Sequence, residues 1–64
     1  MLIIAREVTI NFNTVHYMEV ENKFLKFDYG DYCFDILLNS SEEAHQARRL
    51  IESAYAHGEK ICKI

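Results

Sequence analysis

The sequence predicts an α+β fold: a four-stranded antiparallel meander followed by one C-terminal helix packed on one face (ββββα), in a single domain spanning residues 1–64. Three observations predict it. One stretch alone, Asn39 to Gly58, has helical periodicity. Everything before it alternates as strands do. Two short turn signals, Asn22–Lys23 and Gly30–Asp31, divide the middle of the chain into hairpins whose registers agree with each other.

Residues 2–12, LIIAREVTINF, favour a strand, with Leu2, Ile4, Val8, Ile10 and Phe12 sharing parity. Arg6 interrupts the pattern, which predicts a bend, a bulge or a break near Arg6–Glu7, and so one strand or two short ones. Asn11 to Thr14 reads as a turn, supported by Asn13. Residues 15–21, 24–29 and 32–38 read as the next three strands. A two-residue turn at Asn22–Lys23 sets Val20 against Leu25, Met18 against Phe27 and His16 against Tyr29. A second at Gly30–Asp31, with glycine first as a type II′ turn requires, sets Tyr29 against Tyr32, Phe27 against Phe34 and Leu25 against Ile36. Both registers bring one apolar set to one face. They also align Glu19, Lys26 and Asp35 as an acid–base–acid row on the other, each pair stabilising by about 0.2–1 kcal/mol.

In the helix, Ala44, Ala47, Leu50, Ile51, Ala54 and Tyr55 recur at three- and four-residue steps and form the apolar face. Ser40 with Glu43 fits a capping box, Glu42 and Glu43 suit the positive end of the helix dipole, and Gly58 marks the stop. A lone amphipathic helix is not a stable fold, so this face needs the sheet. Residues 59–64, EKICKI, are too apolar to be left free and form either a short terminal strand or a packed tail. The expected core is Met18, Val20, Leu25, Phe27, Phe34 and Ile36 against Ala47, Leu50, Ile51 and Ala54.

A chain of 64 residues buries only about 60% of its unfolded surface. Half of this one is apolar, which suggests a full core with apolar surface left for a partner. The net charge is −3 with mixed signs, which argues against a nucleic-acid backbone binder. MLIIAREV is apolar for four residues after Met1 and then charged, unlike a secretory leader, and no stretch has the length of a membrane span. Two cysteines without a leader read as free thiols in a reducing cytoplasm, so the expected localisation is cytoplasmic.

No residue set predicts a catalytic, metal or cofactor site. His16, His45, His57, Cys33 and Cys62 lack the close pairs a zinc site uses. His16 is expected half-buried near Tyr29. Cys33 has no neighbouring cation to activate it and reads as a small apolar filler. Asp28, Asp31 and Asp35 cluster, yet a sheet with one helix has little room for the cleft that would separate their pKa values.

The aromatics Tyr17, Phe24, Tyr29, Tyr32 and Phe34 interleave with Lys23 and Lys26, as on sheets where single-stranded bases stack. The ββββα order resembles the single-stranded-DNA-binding transcriptional coactivators of the positive cofactor four type, over most of the chain. The resemblance is one of element order and includes no motif, so no residue is carried over. It implies a dimeric single-stranded nucleic-acid binder. The acidic residues Glu19, Glu21, Asp28 and Asp35 on or near the same surface oppose phosphate.

The function read from the residues is therefore a small non-catalytic protein-interaction module. Its working surface is the sheet face away from the helix, with Val15, Tyr17, Phe24, Cys33 and Leu37 as interface residues. The expected partner is a protein or a second copy as a homodimer, paired through this face or edge to edge through the first or last strand, with no membrane and no cofactor. Small acidic proteins of this shape are often encoded by phage and mobile elements as inhibitors of host proteins.

Overall fold

The structure is a computed structural model describing residues 1–64. It is α+β, with one helix and two three-stranded sheets in place of the single four-stranded sheet expected. The difference begins at Arg6. The first apolar stretch is a hairpin of β1 (Leu2–Ala5) and β2 (Val8–Asn11), closed by a two-residue turn at Arg6–Glu7 with Arg6 at φ +57. Folding the stretch back reverses its parity, so Ile3 pairs with Ile10 and both are buried. Leu2 and Val8, expected on the core side, are exposed instead.

Asn11 to Thr14 forms a turn through a short 3-10 segment, Phe12–Thr14, and Asn11 rather than Asn13 organises it. The Asn11 Oδ1 accepts from the Asn13 amide at 3.1 Å. Asn13 in turn accepts from the Met1 ammonium at 3.2 Å.

The next three strands are the meander with the expected registers. β3 (Tyr17–Glu21) pairs with β4 (Phe24–Asp28), which pairs with β5 (Cys33–Leu37). Met18 lies opposite Phe27, Val20 opposite Leu25, Phe27 opposite Phe34 and Leu25 opposite Ile36. Asn22 takes φ +55 in the first turn and Gly30 φ +98 in the second, conformations that suit these residue types. Tyr29 and Tyr32 close the second hairpin with a backbone bond of 2.9 Å and stacked rings 4.7 Å apart.

The helix, α1 (Ser41–Ala56), starts where expected. Ser40 Oγ accepts from the Glu43 amide at 3.0 Å. The return arm of the capping box is not made, because Glu43 Oε1 accepts from Asn39 Nδ2 at 3.5 Å instead. At the other end Gly58 at φ +73 gives a Schellman closure: Glu59 N–H donates to the Ala54 carbonyl and Gly58 N–H to Tyr55. His57 Nδ1 also donates to the Ser53 carbonyl at 2.7 Å, a second bond on an oxygen that already accepts from the His57 amide at 3.0 Å.

After the helix, Ile61–Lys63 form a strand, β6, which pairs in parallel with β1 to complete the sheet β2-β1-β6. This supplies Cys62 to the core, 5% exposed. One apolar cluster joins both sheets and the helix through Ile3, Ile10, Leu25, Phe27, Ile51 and Cys62. Fully burying each large member is worth about 1.5–3 kcal/mol. Of the expected core, Leu25, Phe27, Ala47 and Ile51 are buried, and Met18, Val20, Phe34, Ile36 and Ala54 pack against the cluster half-buried. Leu50 is half exposed instead, because the buried face of α1 is centred on Ala44, Ala47 and Ile51. Tyr55 is exposed too, edge-on to Phe12 at 5.4 Å.

The helix lies over β3, β4 and β6, which leaves β5 at the margin. No helix is long and apolar enough to cross a membrane.

Candidate functional site: the open sheet face and its β5 edge

Strand alternation sends Tyr17, Glu19, Glu21, Phe24, Lys26, Asp28, Cys33, Asp35 and Leu37 to the side of the meander away from the core. The structure brings four of the five expected interface residues onto this side. Tyr17, Phe24 and Leu37 are 55%, 40% and 52% exposed, and Phe24 lies directly opposite Leu37. Cys33 is exposed opposite Asp28. Val15 is not among them. It precedes β3, is half-buried, and packs against the core at the end of the 3-10 segment, where its amide donates to the Phe12 carbonyl at 3.2 Å.

The charged row crosses the face with Glu19 opposite Lys26 and Lys26 opposite Asp35. The ion pair it makes is diagonal. Lys26 Nζ sits 3.4 Å from Glu21 Oε2 rather than on either neighbour in the row, and the Glu21 carboxylate is the main cause of its raised pKa. Asp35 takes part in no ion pair. Four carboxylates against one ammonium give this face a charge of −3, equal to that of the whole chain.

One polar cluster sits at the end of the face. Asp28 Oδ1 accepts from the Gly30 amide at 2.8 Å, and Asp28 Oδ2 accepts from the Cys33 thiol at 3.3 Å. Those bonds, the Gly30 amide first and the Cys33 thiol second, hold the Asp28 carboxyl below the usual aspartate range. The same arrangement raises the Cys33 thiol pKa, chiefly through the hydrogen bond to Asp28. Tyr17, opposite Asp28, has its phenol raised by the same carboxylate. Cys33 is therefore an exposed thiol kept protonated, the reverse of an activated nucleophile. His16, expected half-buried, is exposed, with its ring laid over Gly30. Cys62 is a second free thiol, buried and raised by desolvation. No group of three His, Cys, Asp or Glu side chains is placed to hold a metal ion.

Two further features lie at the margin of this region. The first is the outer edge of β5, an edge the meander pattern already implied, which has no neighbouring strand. The second is a groove of about 400 Å³ beside that edge, with Phe34, Asp35, Ile36 and Leu37 on one wall and the β1–β2 turn, Ala5 to Val8, on the other. The groove exists because the first apolar stretch turns back on itself instead of pairing with the meander. The break at Arg6 was the only local signal for it.

Comparison with protein-family models, with curated proteins and with solved structures finds no match. The two-sheet architecture also departs from the single sheet that the resemblance to the coactivator order implies.

Proposed function

We propose that the chain is a small non-catalytic protein-interaction module that binds a protein partner through the open face of the β3–β4–β5 sheet. The observation that carries this reading is the exposure of the cross-strand pair Phe24 and Leu37, with Tyr17 beyond the charged row, on a face the helix leaves uncovered. Exposed apolar side chains rimmed by polar ones are a feature of protein contact surfaces. The −3 charge of the face favours a partner that is basic as well as apolar. It works against two copies paired face to face, since each would bring the same sign, and against a nucleic-acid strand, whose phosphates would meet the four carboxylates. A role as a phage or mobile-element inhibitor of a host protein fits such a module.

The test compares the wild-type chain with a Phe24→Asp, Leu37→Asp double variant and with Arg49→Ala on the exposed side of the helix. Affinity capture from the native cell and sedimentation at about 100 μM are run on all three, a concentration at which micromolar pairing is seen. The wild type and Arg49→Ala should retain the same partner, and the double variant should lose it. Equal capture by all three proteins overturns the reading. Retention on single-stranded DNA at low salt that vanishes in the double variant would replace it with the nucleic-acid one.

A further inference from the structure

The register of the meander fixes where the backbone groups of β5 point. The Tyr29 amide donates to the Tyr32 carbonyl and the Leu38 amide to the Lys23 carbonyl, bracketing the β4–β5 ladder. Antiparallel alternation between those two bonds turns the N–H and C=O of Phe34 and Ile36 toward β4. It turns those of Cys33, Asp35 and Leu37 outward, where the sheet has no further strand. Three donors and three acceptors thus stand in a row on an open edge. The groove between β5 and the Ala5–Val8 turn runs along the same residues, and the Val8 and Leu37 side chains at its mouth are 37% and 52% exposed.

Charge selects what fits there. The row on the open face reads Glu19, Lys26, Asp35, and ends at this edge. Lys26 gives its ion pair to Glu21, so Asp35 has none. The next position across the edge, opposite Asp35, is one where a cation continues the alternation and an anion is repelled. A second copy of β5 meets this badly. Two-fold pairing centred on Asp35 sets the carboxylate against its own copy. Sliding by two residues sets it opposite Leu37 or Cys33 and leaves both carboxylates unpaired. The same side chain therefore disfavours self-pairing of an otherwise open edge and admits a basic strand.

We infer that β5 takes up an extended segment of a partner protein as a fourth strand of its sheet, antiparallel, with lysine or arginine opposite Asp35 and apolar residues before and after it that enter the groove against Phe34, Ile36 and Val8. Strand addition of this kind takes affinity from main-chain bonds and specificity from alternate side chains. The inference rests on the reading of the chain as an interaction module and names the mode of binding and the chemistry of the bound segment.

The test tethers a probe strand to the full chain after Ile64. The probe alternates valine with threonine and carries one central lysine. A Gly/Ser linker of about 25 residues has a root-mean-square reach of about 28 Å, and the molecule's longest dimension is 28 Å. Tethering holds the probe at a roughly millimolar effective concentration. Amide hydrogen exchange is then read residue by residue. The Cys33, Asp35 and Leu37 amides should exchange about tenfold more slowly than in the untethered chain. Those of Phe34 and Ile36, already in the ladder, should change little. Replacing the probe lysine by glutamate should abolish the protection, and Asp35→Lys should restore it for the glutamate probe. Unchanged exchange at the three edge amides overturns the inference, as does equal protection by the two probes. Perturbation confined to Tyr17, Phe24 and Lys26 would also overturn it, while leaving the open-face reading standing.

Discussion

A β-carbon placed on Gly30 would stand 2.7 Å from Cε1 of His16. The imidazole thus closes over the one position in the second hairpin where only a hydrogen fits. Gly30 also holds φ +98, a conformation that L side chains rarely adopt. Gly58 holds φ +73 with nothing within 4 Å of its missing side chain. Gly58→Ala should therefore cost about 1 kcal/mol from backbone strain alone. Gly30→Ala should cost about 2–3 kcal/mol, strain plus collision. Adding His16→Ala should recover part of the second loss and none of the first. Thermal melts of the single and double variants check this, at about 4–8 °C per kcal/mol for a chain of this size.

Phe27 is fully buried between its cross-strand neighbours and Ile51, whereas Leu50, one step away on the helix, is half exposed. Phe27→Ala should cost about 3–5 kcal/mol and unfold most of the population. Leu50→Ala should cost about 1 kcal/mol or less. Phe34→Ala should fall between them, since Phe34 is only half-buried. Urea titration orders the three, and a Leu50 variant as unstable as the Phe27 one would contradict the packing described.

Asp28 has a lower pKa folded than unfolded, where an aspartate titrates at about 3.9. The folded chain therefore binds that proton less readily than the unfolded one. The resulting stabilisation is complete above the ordinary aspartate pKa and is lost as pH falls through the lowered folded value. Asp28→Asn should flatten this part of the acid limb of stability, as read by denaturant titration at a series of pH values. It should also release Cys33. With the carboxylate charge beside it replaced by a neutral amide, the thiol should alkylate faster with iodoacetamide at mildly basic pH. Cys62 should react only on unfolding in both proteins.

Arg6 is one of two non-glycine residues with positive φ, and unlike asparagine, arginine is not a residue type enriched in that conformation. Arg6→Gly should stabilise by up to about 1 kcal/mol, the relief of strain being partly offset by a more flexible unfolded chain. Arg6→Val should destabilise by at least as much. Equal melting temperatures for all three would mean the turn is not strained.

What the sequence made legible divides at residue 15. The meander was readable because both of its turns are two residues long and carry Asn or Gly at the position that needs positive φ. Each register then tests the other. In the first twelve residues the break at Arg6–Glu7 was readable but its outcome was not, because a run such as LIIAREVTINF alternates equally well as one bent strand or as a hairpin. Only the second arrangement pairs Ile3 with Ile10. β6 was uncertain for a different reason: its partner β1 lies at the far end of the sequence, and a parallel pairing leaves no local turn signal. On the candidate surface, strict alternation placed Tyr17, Phe24, Cys33 and Leu37 correctly. Val15 was misplaced because the alternation begins at Tyr17 and does not extend back to the residue that closes the 3-10 segment. The groove at β5 depends on where two separate sheets meet, which no single stretch encodes.

The pairing of β1 with β6 also sets an order of events during synthesis. The β1–β2 hairpin leaves the ribosome first, but Ile3 keeps one side of its strand unpartnered until Ile61–Lys63 have emerged. A two-stranded hairpin is marginal in water by itself. The meander and the helix lie between them in sequence. Pairing of β6 with β1 is what places Cys62 in the core, away from solvent. Until that pairing forms, β1 presents an open strand edge.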